Sequence, residues 1–178
     1  MGTKNFADVL TGLEREDVDG VMMLLMGQDA IHSNRQFAGL GLDEHLTRLS
    51  PVIEENTLLG GGAGAHLNLF AAAAYFDGLG TAEGTELATT YYRRYGPWAP
   101  ALNAIGESCY EAILFLAQIG EACGSLRIDG IGAMKSGTFY GGPRGLVRLD
   151  GNLLNQDVYI AAADDLEFRV QEQIARTA

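Results

Sequence analysis

The chain has 178 residues, the size of one domain or of one domain with part of a second. Hydrophobic residues make up 47% and charged residues 20%, a balance that supports a packed core and excludes global disorder. The formal net charge is −11, from 23 acidic against 12 basic residues. With no Lys/Arg run to offset it, such a surface repels phosphate backbones, so direct nucleic-acid binding is excluded as an expectation.

In chain order, Phe6, Val9, Leu10 and Leu13 recur at helical spacing and predict a short amphipathic helix over 5–16. The apolar run from Val18 to Met26 predicts a strand buried on both faces, as parallel sheets require. Asp29 is placed to cap a helix that reaches about Ala38 and stops at Gly39 and Gly41. The next strand is expected over Leu49–Ile53, with Glu54-Glu55-Asn56 opening a short helix and Gly60–Gly64 forming a loop. Leu67–Phe76 is ambiguous by pattern, since its alanines favour helix while its bounding glycines and aromatic close favour strand.

Thr81 caps a helix through Tyr95, with Glu83 and Glu86 early and Arg93-Arg94 late, the arrangement that suits a helix dipole. The longest helix is expected over 103–122, ended by Gly124. Ile105, Tyr110, Ile113, Leu114, Leu116 and Ile119 cover much of its circumference, which predicts burial on more than one side. A further helix is expected over 128–135, and strands near 146–149, 158–162 and 166–170. Alternating strands and helices in the first half argue for an α/β fold with a parallel sheet.

Motifs for chemistry are sparse. Gly60–Gly64 lacks the Gly-Lys-Ser/Thr ending of a P-loop and reads as a flexible loop. His32, His45 and His66 stand at spacings unlike a metal site, so no metal and no cofactor is expected. Glu107-Ser108-Cys109 offers a nucleophile beside a carboxylate, but within a helix and without a nucleophile elbow, so no catalytic residue is assigned. Cys109 and Cys123 lie about 21 Å apart along one helix, beyond disulfide reach, and are expected as buried or half-buried thiols. Met22, Met23 and Met26 read as packing residues.

The site argument is architectural. In open parallel sheets ligands bind beyond the carboxyl ends of strands, where helix N-termini offer free N–H groups. Gly27, Gln28 and Asp29 follow the first strand, Glu54 and Glu55 the second, and Tyr75 and Phe76 close the third. These seven are the candidate ligand-binding residues. Glu54 and Glu55 would either favour their helix N-terminus or hold a ligand's positive group.

Three segments in order carry a family resemblance: Ala73-Ala74-Tyr75-Phe76-Asp77, then Tyr91-Tyr92-Arg93-Arg94-Tyr95-Gly96, then Gly142-Pro143-Arg144-Gly145 leading into Leu146–Asp150. This order resembles the C-terminal half of type I periplasmic binding proteins, the amide/urea and branched-chain amino acid group, over about Phe6 to Arg169. The resemblance implies a Rossmann-like parallel-sheet second lobe plus helices of the first lobe. Residues 5–76 would be second-lobe α/β structure, 77–149 the excursion with first-lobe helices, and 150–178 the return. It implies a non-catalytic domain that captures a small polar ligand (an amide, urea or an amino acid) by hinge closure and feeds an ABC permease. The alternative it implies is a cytosolic amide-sensing negative regulator that acts through a regulatory protein.

The resemblance also implies that most of the first lobe's sheet is missing, so that exposed apolar faces would drive self-association. No run of 18 apolar residues is free of charge, and membrane insertion is not expected. Met1 to Asp8 has no apolar signal core. The chain is expected in the cytoplasm if complete as written, and outside it if it is a fragment of a secreted precursor.

Overall fold

The computed structural model describes residues 2–13, 15–124, 127, 138–151 and 153–175. Its first part alternates helix and strand: α1 (Ala7–Leu13), β1 (Gly20–Met22), α2 (Gly27–Gly39), a 3-10 turn (Leu42–Glu44), β2 (Thr47–Ser50), α3 (Glu55–Gly61) and β3 (Leu69–Ala73). Two helices follow, α4 (Ala82–Tyr95) and α5 (Ala104–Cys123). The chain closes with β4 (Thr138–Gly142), β5 (Gly145–Asp150), β6 (Leu153–Asn155), β7 (Val158–Asp164) and β8 (Glu167–Ile174). The helix expected over 128–135 lies outside the described residues.

Five strands form one sheet in the order β1-β2-β3-β7-β8, and β4-β5-β6 form a second, antiparallel sheet. The expected parallel pairing holds for β1 with β2 and β2 with β3. The sheet as a whole is mixed, because β7 pairs antiparallel with β3 and β8 with β7. A tight turn at Asp165, which adopts φ 58°, joins β7 directly to β8, and two strands so joined can only be antiparallel. Ile53, Leu58, Leu69, Ala71, Phe76 and Phe168 belong to the main core, where α3 and the sheet meet.

Several sequence expectations change. The Val18–Met26 run pairs only over Gly20–Met22, and its burial alternates instead of covering both faces. Met23 is buried, whereas Met22, Leu24 and Met26 are more than half exposed. Among the described residues β1 is an edge strand with a neighbour on one side, and strand geometry sends alternate side chains to opposite faces. β2 stops at Ser50 because Pro51 has no N–H for the ladder, and Ser50 Oγ accepts from the Val52 N–H at 3.3 Å to bend the chain. Gly60 and Gly61 close α3 instead of lying in a loop. Asp29 sits inside the first turn of α2, whose N-cap is Met26.

The Thr81 cap read for α4 and the Gly124 stop read for α5 hold, and the structure adds Asn103 as the N-cap of α5. Thr81 accepts from the Gly84 N–H and Asn103 from the Gly106 N–H, while Gly124 ends α5 in the left-handed region. The expectation that α5 buries several sides does not hold. It buries Glu107, Glu111, Phe115 and Ile119 on one face. Ile105, Ile113 and Leu116 are 54%, 67% and 41% exposed, since no described element packs on that side. For the same reason Cys109 is exposed; Cys123 is half-buried and both are free thiols.

Arg48 on β2 is fully buried. Its guanidinium donates to Asn34 Oδ1 on α2 at 2.5 Å, to the Ala65 carbonyl at 3.2 Å and to the Leu67 carbonyl at 2.6 Å. It also lies over the Phe37 ring, 4.5 Å from its centroid. Burial lowers its pKa to about 10, with Asp43 opposing the shift, so the group stays charged and depends on those acceptors. Arg48→Ala leaves buried acceptors unpaired and should lower stability by about 3 kcal/mol, read as an earlier urea midpoint. An unchanged midpoint would rule out this role for Arg48.

Candidate functional site

Because β1, β2 and β3 run parallel, the segments that leave their carboxyl ends emerge on one edge of the sheet. The β2 exit leads to Glu54 and Glu55, and the β3 exit to Tyr75, Phe76 and Asp77. Glu55 Oε1 accepts from the Asp77 N–H at 2.9 Å, which clamps the β3 exit onto the start of α3. Asp77 Oδ2 accepts from the Tyr92 hydroxyl at 2.9 Å, drawing α4 onto the same point. Glu54 Oε2 accepts from Asn103 Nδ2 at 2.6 Å. Asn56 makes two bonds to Ala101, donating to its carbonyl at 2.9 Å and accepting from its N–H at 3.0 Å.

Beside these groups is a cavity of about 400 Å³ between α3, the 77–78 turn, α4 and the β7–β8 turn. Glu55, Asp77, Tyr92, Glu167, Leu59 and Phe168 are among its walls. Its charged lining among the described residues is acidic throughout. Burial pushes the Glu55 carboxyl up to about 7; the Asp77 N–H opposes that, and the Asp77 and Glu54 charges add to it. Burial raises Asp77 as well, opposed by the Tyr92 hydroxyl and reinforced by Glu167. Glu54 is raised by burial against its Asn103 bond. Tyr92 is pushed up to about 12 by burial and by its bond to Asp77. Asp77 Oδ1 is buried without a hydrogen-bond partner, an acceptor whose desolvation is uncompensated.

The seven residues expected from sequence fall into three places. Glu55 lines the cavity, and Glu54 stands next to it on the Asn103 bond. Tyr75 and Phe76 are each 1% exposed; Phe76 packs in the core with its ring 5.1 Å from Phe168, so both stand behind the wall. Gly27, Gln28 and Asp29 form the first turn of α2, with Gly27 at φ 55°, and none of them lines the cavity. Sequence reasoning missed Asp77, Tyr92, Asn103 and Glu167. Asp77 directly follows the aromatic pair and could have been included. The links from residue 77 to 92 and from 54 to 103 have no local signal, because they are tertiary.

A family model described as periplasmic binding protein matches residues 1–167. The chain belongs to that family. Solved structures agree on the fold of this periplasmic binding protein. An amino acid ABC transporter substrate-binding protein from Pseudomonas fluorescens Pf-5 superposes with a TM-score of 0.83 at 19% identity, covering 99% of this chain and 49% of that one. A solute-binding protein of an ABC transporter from Rhodopseudomonas palustris BisB5, in complex with 3,4-dihydroxybenzoic acid, gives 0.78 at 21% identity over 97% and 48%. A leucine-binding protein from Thermotoga maritima MSB8 gives 0.76 at 16% identity over 97% and 49%. The chain therefore spans about half the length of the solved structures it matches. No curated protein matches it by sequence.

The raised Glu55 carboxyl makes stability pH-dependent with a definite sign. The folded state holds this proton to about pH 7, whereas an unperturbed glutamate releases it near 4.5, so stability falls as pH rises between those values. Glu55→Gln should flatten the fall, measured as the change in denaturant midpoint between about pH 5 and about pH 8. An identical fall in the variant would show that Glu55 ionises normally.

Proposed function

We propose that this periplasmic binding protein chain contributes one wall of a ligand cleft in an ABC-transporter substrate-binding protein, and that the captured ligand carries a positive amine, as an amino acid does. The observation that carries this reading is the cavity at the Glu55–Asp77–Tyr92 cluster, whose charged walls are carboxylates. Such a wall repels a free benzoate-type anion and attracts an ammonium group, which can also satisfy the unpartnered Asp77 Oδ1. Two of the similar proteins are described as binding amino acids or leucine, and one is in complex with an aromatic acid. The acidic lining favours the first kind.

In this reading the protein is a non-catalytic binder outside the cytoplasm, and its macromolecular partner is an ABC permease. Residues 5–76 and 150–178 belong to one lobe, and 77–149 carry helices of the other. The Asn56–Ala101 and Glu54–Asn103 bonds link those segments next to the cavity, where lobe closure would be felt.

The test is titration calorimetry with leucine and with benzoate in buffers of different ionisation enthalpy. A protein joined to its other half is preferred, because one wall buries only part of a ligand. Leucine should bind while benzoate does not, with proton release near neutral pH as the bound ammonium draws Glu55 into its charged form. Asp77→Asn should weaken leucine binding roughly tenfold or more. Benzoate binding with no leucine binding would overturn the assignment.

The half-length match has a second consequence. The α5 face of Ile105, Ile113 and Leu116, and the Met22–Leu24–Met26 stripe beside β1, are bare apolar surfaces. The isolated chain should self-associate in sedimentation velocity as concentration rises, and Ile113→Gln should reduce that association. Monomeric behaviour throughout would contradict this.

A further inference from the structure

A second polar cluster, none of whose residues lines the candidate cavity, forms where α5 meets the β4–β5 hairpin. Arg144, at the hairpin tip, is 7% exposed and faces two glutamates of α5 that are 0% and 5% exposed, Glu107 and Glu111. Its Nη2 pairs with Glu107 Oε2 and donates to Ser108 Oγ at 2.7 Å. Its Nε lies 2.5 Å from Glu111 Oε2, and its Nη1 donates to Gln156 Oε1 at 2.8 Å. The Tyr159 hydroxyl of β7 donates to the Arg144 carbonyl at 3.2 Å, which extends the cluster to the five-stranded sheet.

One buried cation therefore stands against two buried carboxyl groups. Each carboxyl also has one oxygen without a hydrogen-bond partner, Glu107 Oε1 and Glu111 Oε1. The position of Glu111 Oε1 explains its lack of a donor. It abuts the backbone of Gly142, where a Cβ would overlap it, so the oxygen meets carbon and not an N–H. A charged carboxylate in that position has half its charge unsolvated, whereas a protonated carboxyl loses little.

We propose that the Arg144–Glu107–Glu111 cluster is a proton-operated latch that holds the β4–β5 hairpin against α5. With one proton on the pair, carried chiefly by Glu111, the buried charge balances: Glu107 answers Arg144, and Glu111 is neutral. Loss of the proton leaves a surplus buried negative charge and loosens the hairpin. Burial raises both glutamates, Glu111 to about 7, against the opposing pull of Arg144. The remaining groups facing the cluster reinforce this direction or leave it unchanged. Tyr140 on β4 is itself raised by burial and senses Glu111, Tyr110 and Glu107. Tyr75 senses Glu107, and burial raises it too, so neither phenol ionises across the working range. The hairpin is also held by contacts that do not change charge across that range: Gln118 Nε2 donates to the Phe139 carbonyl at 3.1 Å, Thr81 donates to the Pro143 carbonyl at 2.5 Å, and the rings of Phe115 and Tyr140 lie 5.5 Å apart.

The inference stands independently of the ligand reading. Its test is amide hydrogen exchange of the whole chain at about pH 6 and about pH 8.5, corrected for intrinsic rates. Protection of 138–150 should fall roughly tenfold or more between the two conditions, relative to that of β2 and β3. Glu111→Gln should keep the protection and remove the fall, while Glu55→Gln should retain it. A pH-independent hairpin in the wild type, or the same fall in Glu111→Gln, overturns the latch. Should Glu111→Gln not fold, infrared difference spectra of the Glu55→Gln variant decide the matter, since Glu55 would otherwise contribute its own band. A protonated carboxyl band that this variant keeps at about pH 6 and loses by about pH 8.5, in step with the hairpin's protection, supports the latch, and its absence overturns it.

Discussion

The buried charge of Arg48 is the constraint on which the first half of the fold rests. A guanidinium removed from water must find acceptors, and here these are a side chain of α2 and two carbonyls of the segment that leads into β3. Meeting that need fixes how α2 lies on the sheet and where the 65–67 segment passes. It therefore sets where β3 starts beside β2. The pairing of Arg48 with Leu69 in the parallel ladder follows directly, and with it the height at which β3 ends and Asp77 appears.

From that edge outward, the chain repeatedly uses buried carboxyl groups as fasteners. Glu55 holds the Asp77 N–H, Asp77 holds Tyr92, and Glu54 holds Asn103. The first ties the β3 exit to the start of α3, and the other two join that edge to α4 and to the N-cap of α5. Desolvation makes these groups sensitive, raising Glu54, Glu55 and Asp77 together. Groups that fasten structure in this way are also poised to receive a cation, because a positive ligand supplies what burial has taken away. In the first two turns of α5, Glu107 and Glu111 use the same chemistry with the cation built in.

Two apolar faces stand exposed among the described residues. On α5 the helix has turned Glu107 and Glu111 inward and several of its larger apolar residues outward, the reverse of an ordinary globular surface. Beside β1 the sheet edge does the same with Met22, Leu24 and Met26.

Sequence alone determined what depends on near neighbours. Thr81 announced its helix, because a capping side chain acts on an N–H three residues away. Gly39, Gly41 and Gly124 marked helix ends, and the alternation of strand and helix gave the α/β class. The order of the Tyr75-Phe76-Asp77, Tyr95-Gly96 and Gly142-Pro143 segments pointed to the family before any fold was seen. Tertiary structure decided what depends on distant partners. An apolar run says that a segment can be buried but not on which side; that depends on whether a neighbour arrives, and for β1 and α5 it arrived on one side only. Glu55 could be placed at a strand end from sequence, but its meeting with Asp77, like that of Glu111 with Arg144, spans long stretches of chain. No local pattern encodes such a contact, because its energy exists only once the backbone has brought the two groups out of water together.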